Sequence, residues 1–304
     1  MPEGPEVKRC ADLIRSQVLD RTLLGIRSLS DRGKFKDLSF DIEFPTKITK
    51  VEAYGKAIFI SFGKGTGALR STLGMTGWWY PPLDQLDDSI RRRKVYYNGE
   101  SVSAESVIEK ALKHARFELT LSACRKLLYV DQRNFGNFTL LSPDQMLKAI
   151  DGAGIDPLNS FCDDDDLVYE LEHAKKPDRA IGEILLDQSI ICGVGNIYRA
   201  ESLYLAGINP HRTLSMLTKV EIQKLSKAIM FVLQNAYQTE SSMNYPFDFL
   251  SEMIEYDWNS FVGFQNMMYV GHLVYSRVHD ILGHSVKADS VGGRTMWWVP
   301  SVQK

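Results

Sequence analysis

Apolar residues at Val7, Ala11, Ile14 and Val18 recur every three to four positions, the period of a helix that turns one stripe toward a core. The spacing predicts an amphipathic helix ending near Leu19. Beyond it the pattern changes. Short runs rich in β-branched and aromatic residues occupy 48–54, 57–62, 68–73, 117–121, 126–130 and 138–141, with Gly, Pro and Asp between them. They predict an antiparallel β-sandwich. Asp151-Gly152-Ala153-Gly154 and the aspartates that follow at 163–166 predict a hinge and a solvated acidic linker over 149–174. Helical spacing resumes at 181–191, leads into the turn Cys192-Gly193-Val194-Gly195-Asn196, and continues in a second helix over 197–206, stopped by Gly207 and Pro210. Further helices are expected over 219–237 and in part of 247–270. Two strand-like runs over 275–299 join through Gly292-Gly293-Arg294. The fold class is α+β: an N-terminal β-sandwich flanked by helices over 1–148, the linker, and a helical domain over 175–304.

A chain of 304 residues that is 44% hydrophobic can bury a core in each of two domains. The absence of an apolar run of membrane-spanning length, and a charged N-terminus, lead us to expect a soluble intracellular protein with no membrane partner. Cys10, Cys124, Cys162 and Cys192 stand far apart without a C-x-x-C pair, which argues against a disulfide framework and a zinc finger. The formal charge of −2 hides a segregated distribution. Residues 149–174 hold eight of the 38 acids and none of the 36 lysines and arginines, so the other residues together carry +6. A surface need be basic only where it meets phosphate.

Pro2 lets the initiator methionine be trimmed, which would expose a secondary amine. An α-amino group titrates at about 7.7–8.0, so a useful fraction is an unprotonated nucleophile near neutral pH. Glu3 and Glu6 stand beside it. The stretch Pro2-Glu3-Gly4-Pro5-Glu6 also makes a well-formed helix start, with proline where an N–H is dispensable and carboxylates at the positive end of the dipole; taken alone that is the plainer use. Lys56 follows Gly55 at a hairpin tip, where an ammonium is solvated or meets a phosphate. Met75, Arg133 and Phe135 lie on two loops. They are either core edges or the side-chain types that a base-flipping protein pushes into a duplex. Gly193, Gly195 and Asn196 would form a turn with exposed amides at a helix start, suited to a phosphate. Arg294, at the last turn, could reach into a groove or lie in water.

Together these pieces resemble the formamidopyrimidine-DNA glycosylase / endonuclease VIII family of base-excision repair enzymes. The opening residues 2–6, the Gly55-Lys56 tip and the run at 187–210 look like its signatures, in its order. The resemblance implies a helix-two-turns-helix module in the C-terminal domain. It implies that Pro2 is the nucleophile that attacks C1′ of a damaged nucleotide, Glu3 the acid/base, Glu6 a supporting carboxylate, Lys56 a phosphate contact beside the lesion, and Asn196 a phosphate-binding residue. Met75, Arg133 and Phe135 match void-filling positions. The common form of the family ends in a four-cysteine zinc finger, yet no cysteine follows Cys192. His272, His279 and His284 make a poor structural zinc site and read as surface imidazoles. The segment 272–302 is similar to the zincless finger of the endonuclease VIII-like branch, with Arg294 its DNA-contacting arginine.

The implied activity is that of a bifunctional DNA glycosylase and AP lyase that removes oxidised pyrimidines and ring-opened purines through a proline Schiff base and β,δ-elimination. No metal and no cofactor are expected. The expected partner is damaged double-stranded DNA, with single-stranded or bubble DNA left open, and the expected state is a monomer in the nucleus or another DNA-containing compartment. A non-catalytic DNA-binding protein could share the helix-two-turns-helix, but would have no use for Pro2, Glu3 and Lys56 together. A hydrolytic abasic-site nuclease would need a metal cluster, for which the aspartates at 163–166 are the one dense acidic group.

Overall fold

The computed structural model describes all residues except 1, 20, 32, 37–38, 64, 66, 87, 98–99, 160, 240–244, 247–268 and 271. The chain divides into two compact units. One holds residue 2 and residues 7–150, the other residues 3–6 and 151–304. The helix expected in part of 247–270 lies outside the described residues, apart from a short pairing of β11 with β12, given below.

In the first unit, α1 (Gly4–Val18) carries the predicted stripe. Val7, Cys10, Ala11, Ile14 and Val18 are all buried, packed among apolar residues of the strands. The strands are β1 (Thr22–Ser28), β2 (Thr46–Tyr54), β3 (Ala57–Phe62), β4 (Ala68–Thr72) and β5 (Trp78–Tyr80). There follow α2 (Asp88–Arg92), the hairpin β6 (Lys94–Tyr97) and β7 (Glu100–Ser103), α3 (Ala104–Leu112), β8 (Ala115–Leu121), β9 (Lys126–Val130), β10 (Asn137–Leu141) and α4 (Pro143–Asp151). Eight of these strands form one antiparallel sheet in the order β10-β4-β3-β2-β1-β8-β9-β5. The sheet folds back on itself. Trp79 of β5 and Phe138 of β10, on its opposite edges, stack edge to face at 6.0 Å between ring centroids, and Phe117 and Tyr129 complete the aromatic cluster. The crease lies where β1 and β2 pair through Thr22↔Lys47 and Leu23↔Thr46. The expected sandwich is thus a single doubled sheet.

The second unit is built on α5 (Asp164–Glu172), α6 (Ile181–Ile184), α7 (Asn196–Ala206) and α8 (Lys219–Gln238). The short pair β11 (Tyr245–Pro246) and β12 (Tyr269–Val270) precedes the hairpin of β13 (Lys287–Val291) and β14 (Arg294–Trp298). Residues 151–174 of the expected solvated linker are instead part of this unit, and 149–150 belong to the first. Asp163 and Asp166 exchange backbone and side-chain hydrogen bonds as a capping box, and the acids at the start of α5 meet the positive end of its dipole. Leu167, Val168 and Leu171 then enter the core. The helix expected over 181–191 lasts a single turn. The Asp187 carboxylate accepts from the Ser189 amide at 3.1 Å and hydroxyl at 2.7 Å, a local alternative to helical bonding, and the chain leaves to bridge Ile191 to Ile155. Residues 275–286 form no extended strand: they hold an isolated antiparallel bridge between His279 and Ser285, and the amides of Tyr275, Leu282 and His284 go to buried carboxylates.

Candidate active site

Glu3 is 1% exposed although it stands at the third position of the chain. Its carboxylate accepts from the amides of Ile197 at 3.1 Å and Tyr198 at 3.3 Å, two first-turn N–H groups of α7 that lie outside the helix's own hydrogen-bond ladder. Gly195 makes this approach possible: a Cβ there would lie 2.2 Å from Glu3 Cδ. Gly4 donates to the Gly193 carbonyl at 2.8 Å. Glu6 reaches back to the Glu3 amide at 2.9 Å, the glutamate half of a capping box, and its other oxygen accepts from the buried Tyr198 hydroxyl at 2.5 Å. The chain's own carboxylate is therefore held by the α7 amides that follow the turn at 193–196, while the Gly193 amide of the turn donates to Gln188 Oε1 at 3.1 Å. Within the second unit Gly195 makes room for the Glu3 carboxylate, and the Gly193 carbonyl holds the Gly4 amide.

Arg199, unremarked in the sequence, is buried completely. Its guanidinium donates to the carbonyls of Gly182 at 2.7 Å, Val291 at 3.1 Å, and Arg294 and Thr295 at 3.3 Å, and to Asn196 Oδ1 at 2.7 Å. Burial, then the charge of Arg294, lowers its pKa to about 10, so it remains cationic at neutral pH. One residue thus orients the Asn196 amide and pins the turn that carries Arg294. Burial raises the Tyr275 phenol above the usual range, opposed by the Asn196 side chain. The turn is a two-residue Gly292-Gly293 link with φ of 62° and 72°, the double left-handed geometry of a type I′ hairpin. Arg294 beside it is exposed. Arg199 stands at i+3 from Asn196 in a helix whose residues 198–206 are all buried, a burial that the fold reveals and the sequence does not.

In the first unit, Met75 and Phe135 are exposed at 40% and 53%, unusual for apolar side chains of this size. Arg133 bridges them, with Nη1 at 3.4 Å from the Met75 sulfur and Cζ at 5.2 Å from the Phe135 ring centroid. The three residues read from two separate loops form one group. Lys56 stands half-buried at the β2–β3 tip, where Tyr54 pairs with Ala57. Pro2 is half-buried and joined covalently to Glu3, while Met1 lies outside the described residues.

Residues 1–138 match the formamidopyrimidine-DNA glycosylase N-terminal domain and residues 153–245 the formamidopyrimidine-DNA glycosylase H2TH domain. A formamidopyrimidine-DNA glycosylase of Chloroflexus aurantiacus is 34% identical over 80% of this chain and 78% of its own. One from Pelotomaculum thermopropionicum is 30% identical over 100% of this chain and 99% of its own. The chain belongs to the formamidopyrimidine-DNA glycosylase family. The fold agrees. A crystal structure of the Lactococcus lactis formamidopyrimidine-DNA glycosylase, bound non-covalently to DNA with an abasic site, aligns with a TM-score of 0.69 and 22% identity over 99% of both chains. The chain is thus an enzyme of a DNA repair glycosylase family. These matches do not separate the endonuclease VIII-like branch from the rest of the family.

The last hairpin departs from the family's zinc-binding form, and its residues do not fit a zinc ion. No cysteine follows Cys192, and among the described residues no three His, Cys, Asp or Glu side chains converge. Carboxylates organise the segment. Glu201 accepts from the amides of Leu273, Val274 and Tyr275 at 2.7–3.1 Å. Asp280, 4% exposed, accepts from the Leu282 and His284 amides and the Tyr204 hydroxyl, and meets His284 Nδ1 at 2.9 Å. His279 is exposed, whereas His272 and His284 are half-buried, and burial lowers the His272 pKa to about 4. The aspartates at 163–166 serve the α5 cap and are no metal cluster. Among the described residues no helix is long and apolar enough to cross a membrane.

Proposed function

We propose that this protein removes oxidised bases from duplex DNA and then cuts the strand through an iminium formed by Pro2. The observation that carries the reading is the Glu3 carboxylate. It is one peptide bond from the proposed nucleophile and is buried and held by the first amides of α7, so the chain terminus is anchored as covalent catalysis requires. The proline nitrogen, free once Met1 is removed, attacks C1′ of the extruded nucleotide, and the C1′–base bond breaks as the base departs with its electron pair and a proton. Glu3 moves protons to and from the sugar during ring opening. The resulting iminium acidifies the C2′ protons, so loss of one expels the 3′ phosphate and a second elimination expels the 5′ phosphate. Lys56, Asn196 and Arg294 contact phosphates, and Met75, Arg133 and Phe135 fill the space that the base leaves. Oxidised pyrimidines and ring-opened purines are the proposed substrates, with the protein acting as a monomer of the zincless-finger branch.

The experiment is covalent trapping. Processed protein incubated with a duplex bearing an oxidised thymine, then treated with borohydride, should give a protein–DNA adduct. A form that retains a residue before Pro2, which acylates the nitrogen, should give none. Strand cleavage at undiminished rate by that blocked form would overturn the mechanism. Retention of the duplex without adduct or cleavage by the processed protein would favour a binding protein without chemistry.

A further inference from the structure

Asp131 is completely buried in the first unit, and its carboxylate has no part in the chemistry proposed above. Among the described residues four hydrogen bonds reach it. Oδ1 accepts from the Thr76 hydroxyl at 2.6 Å and the Arg133 amide at 3.2 Å, and Oδ2 accepts from the Gly136 amide at 2.8 Å and the Tyr129 hydroxyl at 3.3 Å. An ionised carboxylate offers about four such sites, so this one is saturated. Thr76 adds a second link between the loops by accepting from the Arg133 amide at 3.1 Å. Close packing leaves the loops no slack: a Cβ on Gly136 would lie 1.7 Å from the Tyr129 hydroxyl oxygen, and one on Gly74 2.5 Å from the Phe135 carbonyl carbon.

Met75 adjoins Thr76, Arg133 is itself held through its amide, and Phe135 immediately precedes Gly136, so each of the three side chains sits on or next to a residue that Asp131 binds. Three side chains that must enter a base stack together would lose much of their effect if the two loops moved independently, since a wedge works only when its supports are rigid. We propose that Asp131 is the positioning residue of the void-filling group: it locks the two loops in one register, so that Met75, Arg133 and Phe135 enter the duplex as a preassembled unit. This rests on the void-filling reading of those three residues.

The test uses a duplex with a tetrahydrofuran abasic analogue opposite 2-aminopurine, whose fluorescence at saturating protein reports how the wedge alters stacking independently of affinity. Asp131→Asn keeps the shape but turns one acceptor into a donor that faces other donors, and its fluorescence change should fall at least threefold with saturation confirmed by anisotropy. Thr76→Val, which keeps the shape and removes the hydroxyl, should fall in the same direction, and Thr76→Ser should restore the signal. This pair decides the matter if Asp131→Asn does not fold. Full amplitude in both Asp131→Asn and Thr76→Val overturns the clamp. The combined variant Met75→Ala, Arg133→Ala, Phe135→Ala separates the layers: if it keeps full amplitude, the void-filling reading itself fails, whereas loss there with full amplitude in the Asp131 and Thr76 variants leaves that reading standing and removes the clamp alone.

Discussion

Glu3 and Gly195 compete for one small volume, which makes their pairing the sharpest residue-level feature of the second unit. Gly195 has a φ of −131°, ordinary for any residue, so what bars a side chain there is the Glu3 carboxylate 2.2 Å from the position of a Cβ. Gly195→Ala should therefore cost about 1–3 kcal/mol through overcrowding and should slow base excision more than it weakens binding, because it displaces the proposed acid/base. Denaturant unfolding together with single-turnover excision would check both, and an alanine variant matching the wild type in each would refute the seat. Glu3 was legible from its chemical type beside a possible nucleophile. Arg199, Glu201, Asp131 and Asp280 were not, because each owes its place to at least one partner dozens of residues away along the chain: Val291, the amides at 273–275, Thr76 and Tyr204 respectively.

Among the elements, α5 shows why composition can mislead. Four consecutive aspartates look like solvated linker, yet a helix start is where such a run is favoured, and the apolar positions Leu167, Val168 and Leu171 that follow face the core. Leu171 is fully buried, so Leu171→Ala should destabilise the second unit by about 2–5 kcal/mol, measurable as a lowered unfolding midpoint; a tether would tolerate the change with no shift. Elements bounded by local signals were readable: α1 by its stripe, and the β2–β3 and β13–β14 hairpins by glycine at the turn. The strand β5 has only three residues and pairs with β9, some fifty positions on, so neither its length nor its neighbours announce it. The single turn of α6 likewise depends on the Ile155–Ile191 bridge, which no local period reports.

For the molecule as a whole, net charge says little and its placement much. Acids concentrate at the α5 cap, while Lys56 and Arg294 stand at hairpin tips, so affinity for damaged duplex should fall steeply with salt. Replacing either Lys56 or Arg294 by alanine should flatten the plot of log K against log salt by about one unit; an unchanged slope would remove that residue from the phosphate contacts. The sequence by itself determined the kinds of chemistry available, the periods of helix and strand, and the tight glycine turns, because each depends on a residue's identity or on neighbours within a few positions. Only the tertiary structure decided which distant donors meet which carboxylate: the α7 amides with Glu3, the amides of 273–275 with Glu201, the Thr76 hydroxyl with Asp131, and the Tyr204 hydroxyl with Asp280. A buried carboxylate must find donors wherever the folded chain brings them, and that meeting is set by packing over long separations, which no local pattern encodes.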